Sequence, residues 1–312
     1  ATDLIPESVM QEYKFIAFSQ SRRELEVILK EVRERLSQKD IGNRNHSYKD
    51  SSNLISGYRG GYRPEERKEI ERELANGNLK GVIATNALEL GIDIGSIDLV
   101  ISAGFPKTKA SFFQQIGRAG RRGSKSYAVL ILNLRNTYDQ FIAASPDWLF
   151  NSSIENAIID KNNLFIQIAH VRAASAELPL TLDDLGLFPD LGEILPVLLN
   201  KKELIKNNGR FTWNGKEFPA GDYSLRAITS NRYKIINKQN NEVLSEMDEA
   251  QAFKEIFKNA IYLHNGESYL VENLDLINRL AIAIPVNYNY YTVPFALKDI
   301  KVINILKEVK TR

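Results

Sequence analysis

The chain has 312 residues, 43% of them hydrophobic and 26% charged, and this ordinary globular composition predicts two or three domains. A net charge of +2 excludes a generally basic nucleic-acid-binding protein, so any nucleic-acid site must be local. The absence of cysteine excludes disulfides and thiolate metal sites, and His46, His170 and His264 lack the spacing of zinc ligands.

The sequence has no apolar run of the ~20 residues that a membrane span needs, and it shows no signal-peptide core at its start. We therefore expect a cytoplasmic protein with no membrane partner. The first residue is Ala1 rather than methionine, from which we expect a piece of a longer protein.

Strands and helices alternate through the first half of the chain. Short apolar runs predict buried strands at 15–18, 81–84, 99–101 and 127–132. A capping box at 21–24 starts one predicted helix, and Pro64 starts another that ends at Asn76-Gly77. This order predicts an α/β fold, a parallel sheet with helices on both faces.

After about Asp147 the pattern changes to helices followed by a hairpin. Helical spacing covers 163–177, with shorter helical stretches at 182–187 and 194–199. Asn208-Gly209 between two apolar runs predicts a tight hairpin. Three helices and a hairpin together predict a winged helix.

From Tyr223 onward the chain is rich in predicted strands. These lie at 223–228, 233–236, 261–264, 268–271 and 280–285, with a hairpin turn at Asn265-Gly266 and one helix from Asp248 to Phe257. We interpret the acidic run 248–251 as the first turn of that helix. The predicted domains are an α/β domain (1–147), a winged helix (148–216) and a small β-rich domain (217–312).

The densest group of chemically useful residues is QQIGRAGRRG at 114–123. Arg118 and Arg121 lie three residues apart and share one face of a helical turn, while the glycines allow a ligand to approach the backbone. Such an arrangement aims two permanently charged guanidiniums at one phosphoryl group. For an isolated Arg/Gly cluster, a solvated basic turn is the alternative interpretation.

A second block, ATNALELGID at 84–93, places Thr85 at the carboxyl end of a buried strand, where open α/β sheets bind ligands. Gly91 allows a turn, and Asp93 is an acceptor able to hold a ribose hydroxyl, although capping a helix is the commoner role of such a residue. Two further blocks stand upstream, FIAFSQSR at 15–22 and YRGG at 58–61.

The blocks at 15–22, 84–93 and 114–123, in this order and spacing, resemble motifs IV, V and VI of the second RecA-like domain of superfamily 2 helicases. The resemblance implies that Arg121 is the arginine finger on the γ-phosphate, with Arg118 beside it and Gln114 near the attacking water. It also implies that Gly91 and Asp93 hold the nucleotide. The nucleic-acid backbone contacts that it implies are Thr85, Ser19, Arg22 and Arg59.

The chain contains no GxxxxGK[ST] phosphate-binding loop. The resemblance therefore implies that ATP and Mg²⁺ are held mainly by a first RecA-like domain, which is an expected partner. On this interpretation the chain does not hydrolyse ATP by itself.

Segments after motif VI resemble the DNA-repair helicases of the mitomycin repair factor A type. They are DQF (139–141), SPDWLF (145–150), AASAELPL (173–180), AIYLHNGESYLV (260–271) and YYTVP (290–294). The resemblance implies 3′→5′ translocation on single-stranded or partly duplex DNA. That family has a four-cysteine zinc domain, but this chain has no cysteine and is expected to bind no zinc. Either that domain has been lost or it lies beyond this sequence, and we expect the second.

Four tyrosines in the strand-rich part, Tyr262, Tyr269, Tyr290 and Tyr291, are expected to pack a small β-domain rather than to stack on bases. Two other functions remain as alternatives. One is an RNA helicase of the DEAD-box kind, and the other is a non-catalytic nucleic-acid-binding scaffold. The intact Gln114 and the two motif VI arginines argue against the scaffold. The winged helix either binds DNA or only packs against the motor domain and supports it.

Overall fold

The computed structural model describes residues 1–42, 51–90, 94–120, 125–157, 159–160, 163–222, 232–288, 290–295, 297, 299–305 and 308. Its described residues include a parallel sheet with the strand order β2-β3-β1-β4-β5. The strands are β1 (Phe15–Ser19), β2 (Ile55–Tyr58), β3 (Gly81–Ala84), β4 (Leu99–Ala103) and β5 (Tyr127–Ile131). The helices are α1 (Leu4–Met10), α2 (Arg22–Gly42), α3 (Pro64–Asn76), α4 (Lys109–Ile116), α5 (Thr137–Ala144) and α6 (Pro146–Asn151).

Side chains of β1 alternate between two apolar cores on opposite faces of the sheet. Phe15 and Ala17 pack with residues of α1 and α2, whereas Ile16 and Phe18 pack with residues of α3. Helices therefore cover both faces, which is what a sheet of apolar parallel strands requires. The predicted α/β fold is confirmed.

The helix boundaries in this part follow local signals in the sequence. The Ser21 hydroxyl accepts a hydrogen bond from the Glu24 N–H at 3.1 Å, and the Glu24 carboxylate accepts one from the Gln20 N–H at 3.0 Å. Two of the N–H groups that the start of α2 leaves without intrahelical partners are thereby satisfied. Helix α3 begins at Pro64 and ends where Gly77 takes a φ of +82°, a left-handed conformation that suits glycine.

Strand β2 has no counterpart among the predicted strands. Its sequence, Ile55–Tyr58, contains Ser56 and Gly57, which break the apolar run that marks the other strands. Gly57 is needed there because a Cβ at that position would lie 2.6 Å from the hydroxyl of Tyr62. Packing in the assembled fold, rather than a local preference, makes this segment a strand.

The middle of the chain has the predicted helices and hairpin. They are α7 (Leu164–Glu177), a 3₁₀ turn (Leu182–Gly186), α8 (Leu191–Asn200), β6 (Leu204–Asn207) and β7 (Arg210–Trp213). Asn208 and Gly209 have φ of 50° and 77°, as a two-residue hairpin turn of the I′ type requires. Leu180 pairs with Phe211 through two backbone hydrogen bonds and so fastens the end of α7 to the hairpin.

The last part of the chain is a mixed sheet with the order β10-β11-β12-β8-β9. Its elements are β8 (Arg232–Asn237), β9 (Val243–Asp248), α9 (Glu249–Glu255), β10 (Ile261–His264), β11 (Glu267–Asp275) and β12 (Leu280–Val286). The strand predicted at 223–228 lies outside the described residues, and β9 was not predicted. The carboxylate of Asp248 accepts the Gln251 N–H at 2.9 Å and caps α9, which agrees with the structural role given to the 248–251 run.

The tyrosines of this part divide into two groups. Tyr262 and Tyr269 are 3% and 5% exposed and belong to the core of the sheet, as expected. Tyr290 and Tyr291 are 58% and 49% exposed, so the prediction that they pack inside a small β-domain is wrong. They follow β12 in a segment that is not a strand of the sheet, so the alternation of buried and exposed side chains along a strand does not apply to them.

Candidate functional site

The carboxyl ends of β1 and β3 lie side by side because these strands are neighbours in the parallel sheet. Ser19 closes β1 and Thr85 directly follows β3, and both side chains border one cavity of about 280 Å³. Other polar residues along its wall are Gln20, Asn86, Lys107, Thr108 and Ser111. The structure thus brings together Ser19 and Thr85, two of the residues predicted to contact the nucleic-acid backbone. They lie at the edge where open α/β sheets bind ligands.

One wall of this cavity is a buried polar network between the motif V and motif VI segments. Gln115 is 5% exposed, accepts the Ser102 hydroxyl at 3.0 Å and donates to the Glu89 carboxylate at 2.8 Å. The Ser111 hydroxyl donates to the same carboxylate oxygen at 2.6 Å. The sequence interpretation missed Gln115 and Glu89. Helical phase could have identified Gln115, which lies three residues after the buried Phe112 and therefore on the same face.

Gln114, which precedes Gln115 on α4, is exposed. Arg118 follows the end of α4, and its Nε donates to the backbone carbonyl of Glu89 at 2.9 Å, with Nη2 bonded to the same oxygen. Two donors on one carbonyl hold the guanidinium against the 84–90 segment. The predicted Gly91, Asp93 and Arg121 lie outside the described residues.

Arg22 is the first residue of α2 and is half-buried at the border of a second cavity, of about 250 Å³. Its Nη1 is buried and has no hydrogen-bond partner within the described part of the chain. Ser21 and Arg23 also line this second cavity, so the segment 18–23, from the end of β1 to the start of α2, borders both cavities. Arg22 is therefore near the predicted backbone contacts without sharing their cavity.

Arg59 is 1% exposed, and the structure corrects its prediction as a surface contact to nucleic acid. Its Nε donates to the Glu26 carboxylate at 2.8 Å, and its Nη2 donates to the Tyr262 hydroxyl at 2.9 Å and the Leu263 carbonyl at 3.1 Å. These partners come from α2 and β10, so Arg59 joins the parallel sheet to the β-rich sheet. Gly61 lets the chain pass close to Arg59, since a Cβ on Gly61 would lie 3.1 Å from Arg59 Nη1.

The charges of this buried group are stabilised by one another. Burial raises the pKa of the Glu26 carboxyl, but the Arg59 guanidinium and the Gly266 N–H outweigh it and hold that pKa below its usual range. Burial likewise opposes the charge on Arg59, yet the neighbouring Tyr262 and Glu26 raise its pKa. Both side chains therefore stay ionised in the interior.

The hairpin turn between β10 and β11 completes the contact with α2. The Gly266 N–H donates to Glu26 at 2.9 Å, and Arg33 Nη1 donates to the Asn265 carbonyl at 2.6 Å. His264 lies beside this turn, and burial followed by repulsion from Arg59 lowers its pKa to about 4. The imidazole is therefore neutral near pH 7.

The polar side chains of the motif VI segment suit phosphate rather than a metal. The Gln114 amide and the anchored Arg118 guanidinium are hydrogen-bond donors that phosphoryl oxygens accept. Within the described ranges, no group of three or more His, Asp or Glu side chains could hold a metal ion. No helix of the described part is long and apolar enough to cross a membrane.

Comparison with known proteins places this geometry among helicases. Residues 2–123 match the family model described as the helicase conserved C-terminal domain. The chain is 37% identical to the ATP-dependent helicase YprA of Bacillus subtilis over 98% of its own length and 40% of that protein. It is 29% identical to the ATP-dependent helicase hrq1 of Schizosaccharomyces pombe, over 98% of this chain and 28% of that one.

A solved structure shows the same arrangement of elements. The crystal structure of the DUF1998 helicase MrfA bound to DNA and AMPPNP superposes with a TM-score of 0.78 and 37% identity, over 96% of this chain and 41% of that one. The chain thus spans about two fifths of the length of these relatives or less. Residues 2–123 are therefore a helicase conserved C-terminal domain, and the chain is homologous over nearly its whole length to superfamily 2 helicases of the YprA and Hrq1 kind.

Proposed function

We propose that this chain is the C-terminal half of an ATP-dependent DNA helicase or translocase that moves 3′→5′ along a DNA strand and acts in DNA repair. One observation carries the proposal. The 84–90 segment borders the Ser19 and Thr85 cavity and, through the Glu89 carbonyl, also holds Arg118. A motor needs such a shared segment, because a change in the bound nucleotide must shift the residues that contact the DNA strand. The DNA and AMPPNP bound to MrfA, which is similar over this whole region, support the same function.

The proposed roles fall into two groups, one at the nucleotide and one at the DNA strand. Arg121 is the arginine finger, Arg118 assists it, and Gln114 positions the attacking water, while Gly91 and Asp93 hold the nucleotide. Ser19, Thr85 and Arg22 contact the DNA backbone, and Arg59 is left out because it is buried. When bound, ATP supplies free energy through hydrolysis of its terminal phosphate. An arginine finger contributes on the order of 10³–10⁵ in turnover by stabilising charge in the transition state.

The rest of the assembly is part of the same proposal. ATP and Mg²⁺ are held mainly by a first RecA-like domain, which pairs with the domain at 1–147. The winged helix occupies 148–216 and the β-rich domain 217–312. The nucleic-acid partner is single-stranded or partly duplex DNA, and the compartment is the cytoplasm.

The test compares ATP hydrolysis by this chain and by the full-length protein, each with single-stranded DNA, single-stranded RNA or no nucleic acid. We expect no turnover by this chain alone and DNA-stimulated turnover by the full-length protein. Greater stimulation by RNA would identify an RNA helicase instead. No turnover under any condition would identify a non-catalytic scaffold, and turnover by this chain alone would overturn the shared-site proposal.

A matched pair of variants tests the arginine finger. Arg121→Ala in the full-length protein should lower the ATPase rate by roughly 10³-fold or more while DNA binding persists. Arg135→Ala removes an exposed arginine that follows β5 and should leave the rate unchanged. Equal rates in both variants would remove Arg121 from the site.

A further inference from the structure

The segment that follows β12 is fastened at two points although it lies outside the sheet. Lys30 Nζ, on α2, donates to the Tyr288 carbonyl at 3.1 Å. The Thr292 hydroxyl accepts the N–H of Ile261, on the edge strand β10, at 2.9 Å. Tyr288 at the first anchor and Tyr290 and Tyr291 before the second form what we call the tyrosine platform. The anchors hold the backbone of the platform in place, so its rings need not be ordered by a ligand first.

The rings of the platform are presented to solvent instead of to a core. Tyr288, Tyr290 and Tyr291 are 38%, 58% and 49% exposed. The rings of Tyr288 and Tyr290 stack, with centroids 5.2 Å apart and planes inclined by 11°. The guanidinium of Arg23 lies 5.4 Å from the centroid of Tyr291. Neighbouring aromatic faces with an arginine beside them are the chemistry by which proteins stack unpaired bases.

Beside the platform lies the cavity of about 250 Å³ between the start of α2 and β10. Thr292 and Pro294, which continue the platform segment, line it. Its charged lining residues are Arg22, Arg23, Arg59 and Lys254 on the positive side and Glu26 and Glu255 on the negative side. The cations outnumber the acids, and Glu26 is already bound to Arg59, Tyr62 and the Gly266 N–H.

Two of these cations have unused donors. The Nη1 atoms of Arg59, which is 1% exposed, and of Arg22 are buried without a hydrogen-bond partner in the described ranges. Unpaired buried donors are costly, and an anion in the cavity would offset part of that cost. A phosphate next to a stacked base is the pairing that a nucleotide offers.

We propose that the tyrosine platform stacks bases of a single nucleic-acid strand and that the adjacent cavity receives a phosphate of the same strand. This inference rests on the proposed function, because the strand is the one that the motor would move. The segment from Ser19, at the end of β1, to Arg23, in the first turn of α2, connects the two places: it starts at the cavity of the predicted nucleic-acid backbone contacts and ends at the platform. A duplex is not the occupant, since its bases stack on one another and offer the tyrosines no free face.

The binding test uses the full-length protein and two fluorescent oligonucleotides of equal length, oligo(dT) and an abasic strand. For the double variant Tyr290→Ala/Tyr291→Ala we expect oligo(dT) affinity to fall roughly 5- to 100-fold, the loss of one stacked base or more, with abasic affinity unchanged. Tyr290→Phe/Tyr291→Phe keeps the rings and should restore binding. Tyr138→Ala, which removes a tyrosine 69% exposed on α5, is the matched control.

Three outcomes would overturn the platform: unchanged oligo(dT) affinity, equal loss for both strands, or failure of the phenylalanine variant to rescue. If the variants bind oligo(dT) normally while DNA still stimulates ATP hydrolysis, the platform fails and the proposed function stands. If DNA does not stimulate hydrolysis by the unaltered protein, the proposed function itself fails.

A second measurement asks whether the rings are open in the whole protein. Tetranitromethane should nitrate Tyr290 and Tyr291 in the free full-length protein, and oligo(dT) should protect them, as read by mass spectrometry. No nitration in the free protein would show that another segment covers the platform, and nitration unaffected by oligo(dT) would show that the strand binds elsewhere. Free phosphate added at the concentration of the oligonucleotide phosphates should give no protection, which distinguishes a strand from an isolated anion.

Discussion

Arg59 and Glu26 form an ion pair with 2.8 Å between Nε and Oε1, and both side chains are 1% exposed. Two charges removed from water in this way lose their hydration, and only good geometry with further hydrogen bonds compensates for that loss. Tyr62, Tyr262 and the Gly266 N–H supply those further bonds. The pair is therefore the polar centre of the contact between the two sheets.

Loss of either partner of this pair should destabilise the protein strongly. For Arg59→Met we expect the free energy of unfolding to fall by about 3–5 kcal/mol, because Glu26 is left as an uncompensated buried charge. The double variant Arg59→Met/Glu26→Gln should recover part of the loss. Urea denaturation followed by fluorescence measures both effects.

The exposed pair Arg63 and Glu242, 2.7 Å apart and also between the two sheets, is the control for this prediction. Arg63→Met should change the free energy of unfolding by no more than about 1 kcal/mol, since an exposed pair contributes little. If Arg59→Met cost no more than Arg63→Met, the buried pair would not be what stabilises the contact.

His264 should make the stability depend on pH. Burial and then Arg59 lower the pKa of His264 to about 4, so between pH 6.5 and 4 the unfolded chain carries more protons at this residue than the folded one. The free energy of unfolding should therefore fall as the pH is lowered through this window, by a total on the order of 3 kcal/mol. Denaturant titrations at half-unit pH steps measure it.

His264→Phe isolates this contribution. Glu66, whose carboxylate lies 3.7 Å from the imidazole and whose pKa is raised by burial, contributes with the opposite sign, and Glu26 contributes with the same sign below about pH 4.5. Both remain in the variant, so the difference between the two profiles belongs to His264. A variant with the same slope as the parent protein would show that the imidazole does not stay neutral on folding.

Two neighbouring glutamines should differ in what they affect. Gln115→Ala removes hydrogen bonds to Ser102 and Glu89 and should lower the free energy of unfolding by about 1–3 kcal/mol. Gln114→Ala, on the exposed side of α4, should leave stability unchanged and lower the DNA-stimulated ATPase of the full-length protein. Thermal unfolding and ATPase assays on both variants separate the two effects, and the reverse pattern would exchange their roles.

Lys109 should stabilise the connection from the parallel sheet to the middle of the chain. Its ammonium is fully buried and donates to the carbonyls of Trp148 and Ser153, at 2.9 and 3.3 Å, and to Ser152. Lys109→Met keeps the volume but leaves these acceptors unpaired, so we expect a loss of about 1–3 kcal/mol in denaturant unfolding. Lys107→Met, at an exposed neighbouring position, should cost far less, and equal losses would contradict the assignment.

Most of the parallel sheet could be predicted because its strands are apolar on both faces. The runs at 15–18, 81–84, 99–101 and 127–132 all became strands of one sheet. Strands β2 and β9 could not be predicted, since each contains polar residues whose partners lie far away in sequence. Ser245 of β9, for instance, is fully buried and donates to the Gly61 carbonyl at 2.6 Å.

The candidate site, like the fold, could be predicted from the sequence only in part. Ser19 and Thr85 could be located from the sequence, because a residue that ends a parallel strand must lie at the carboxyl edge. Arg59 could not, because its burial depends on β10, about two hundred residues later. Tyr262 and Tyr291 cannot be distinguished as aromatic residues in the sequence. Tyr262 is buried because it lies in strand β10, whereas Tyr291 is exposed because it follows the last strand, β12.

The seating of the Asn265-Gly266 turn on α2 has a mechanical consequence. Because Glu26 and Arg33 of α2 hold the tip of this hairpin, rotation of the β-rich sheet relative to the parallel sheet is restricted. The second sheet then acts as a lever arm on the first. A rotation of the parallel sheet is therefore passed on to the β-rich sheet, and a ligand bound to that sheet is displaced in proportion to its distance from the rotation axis.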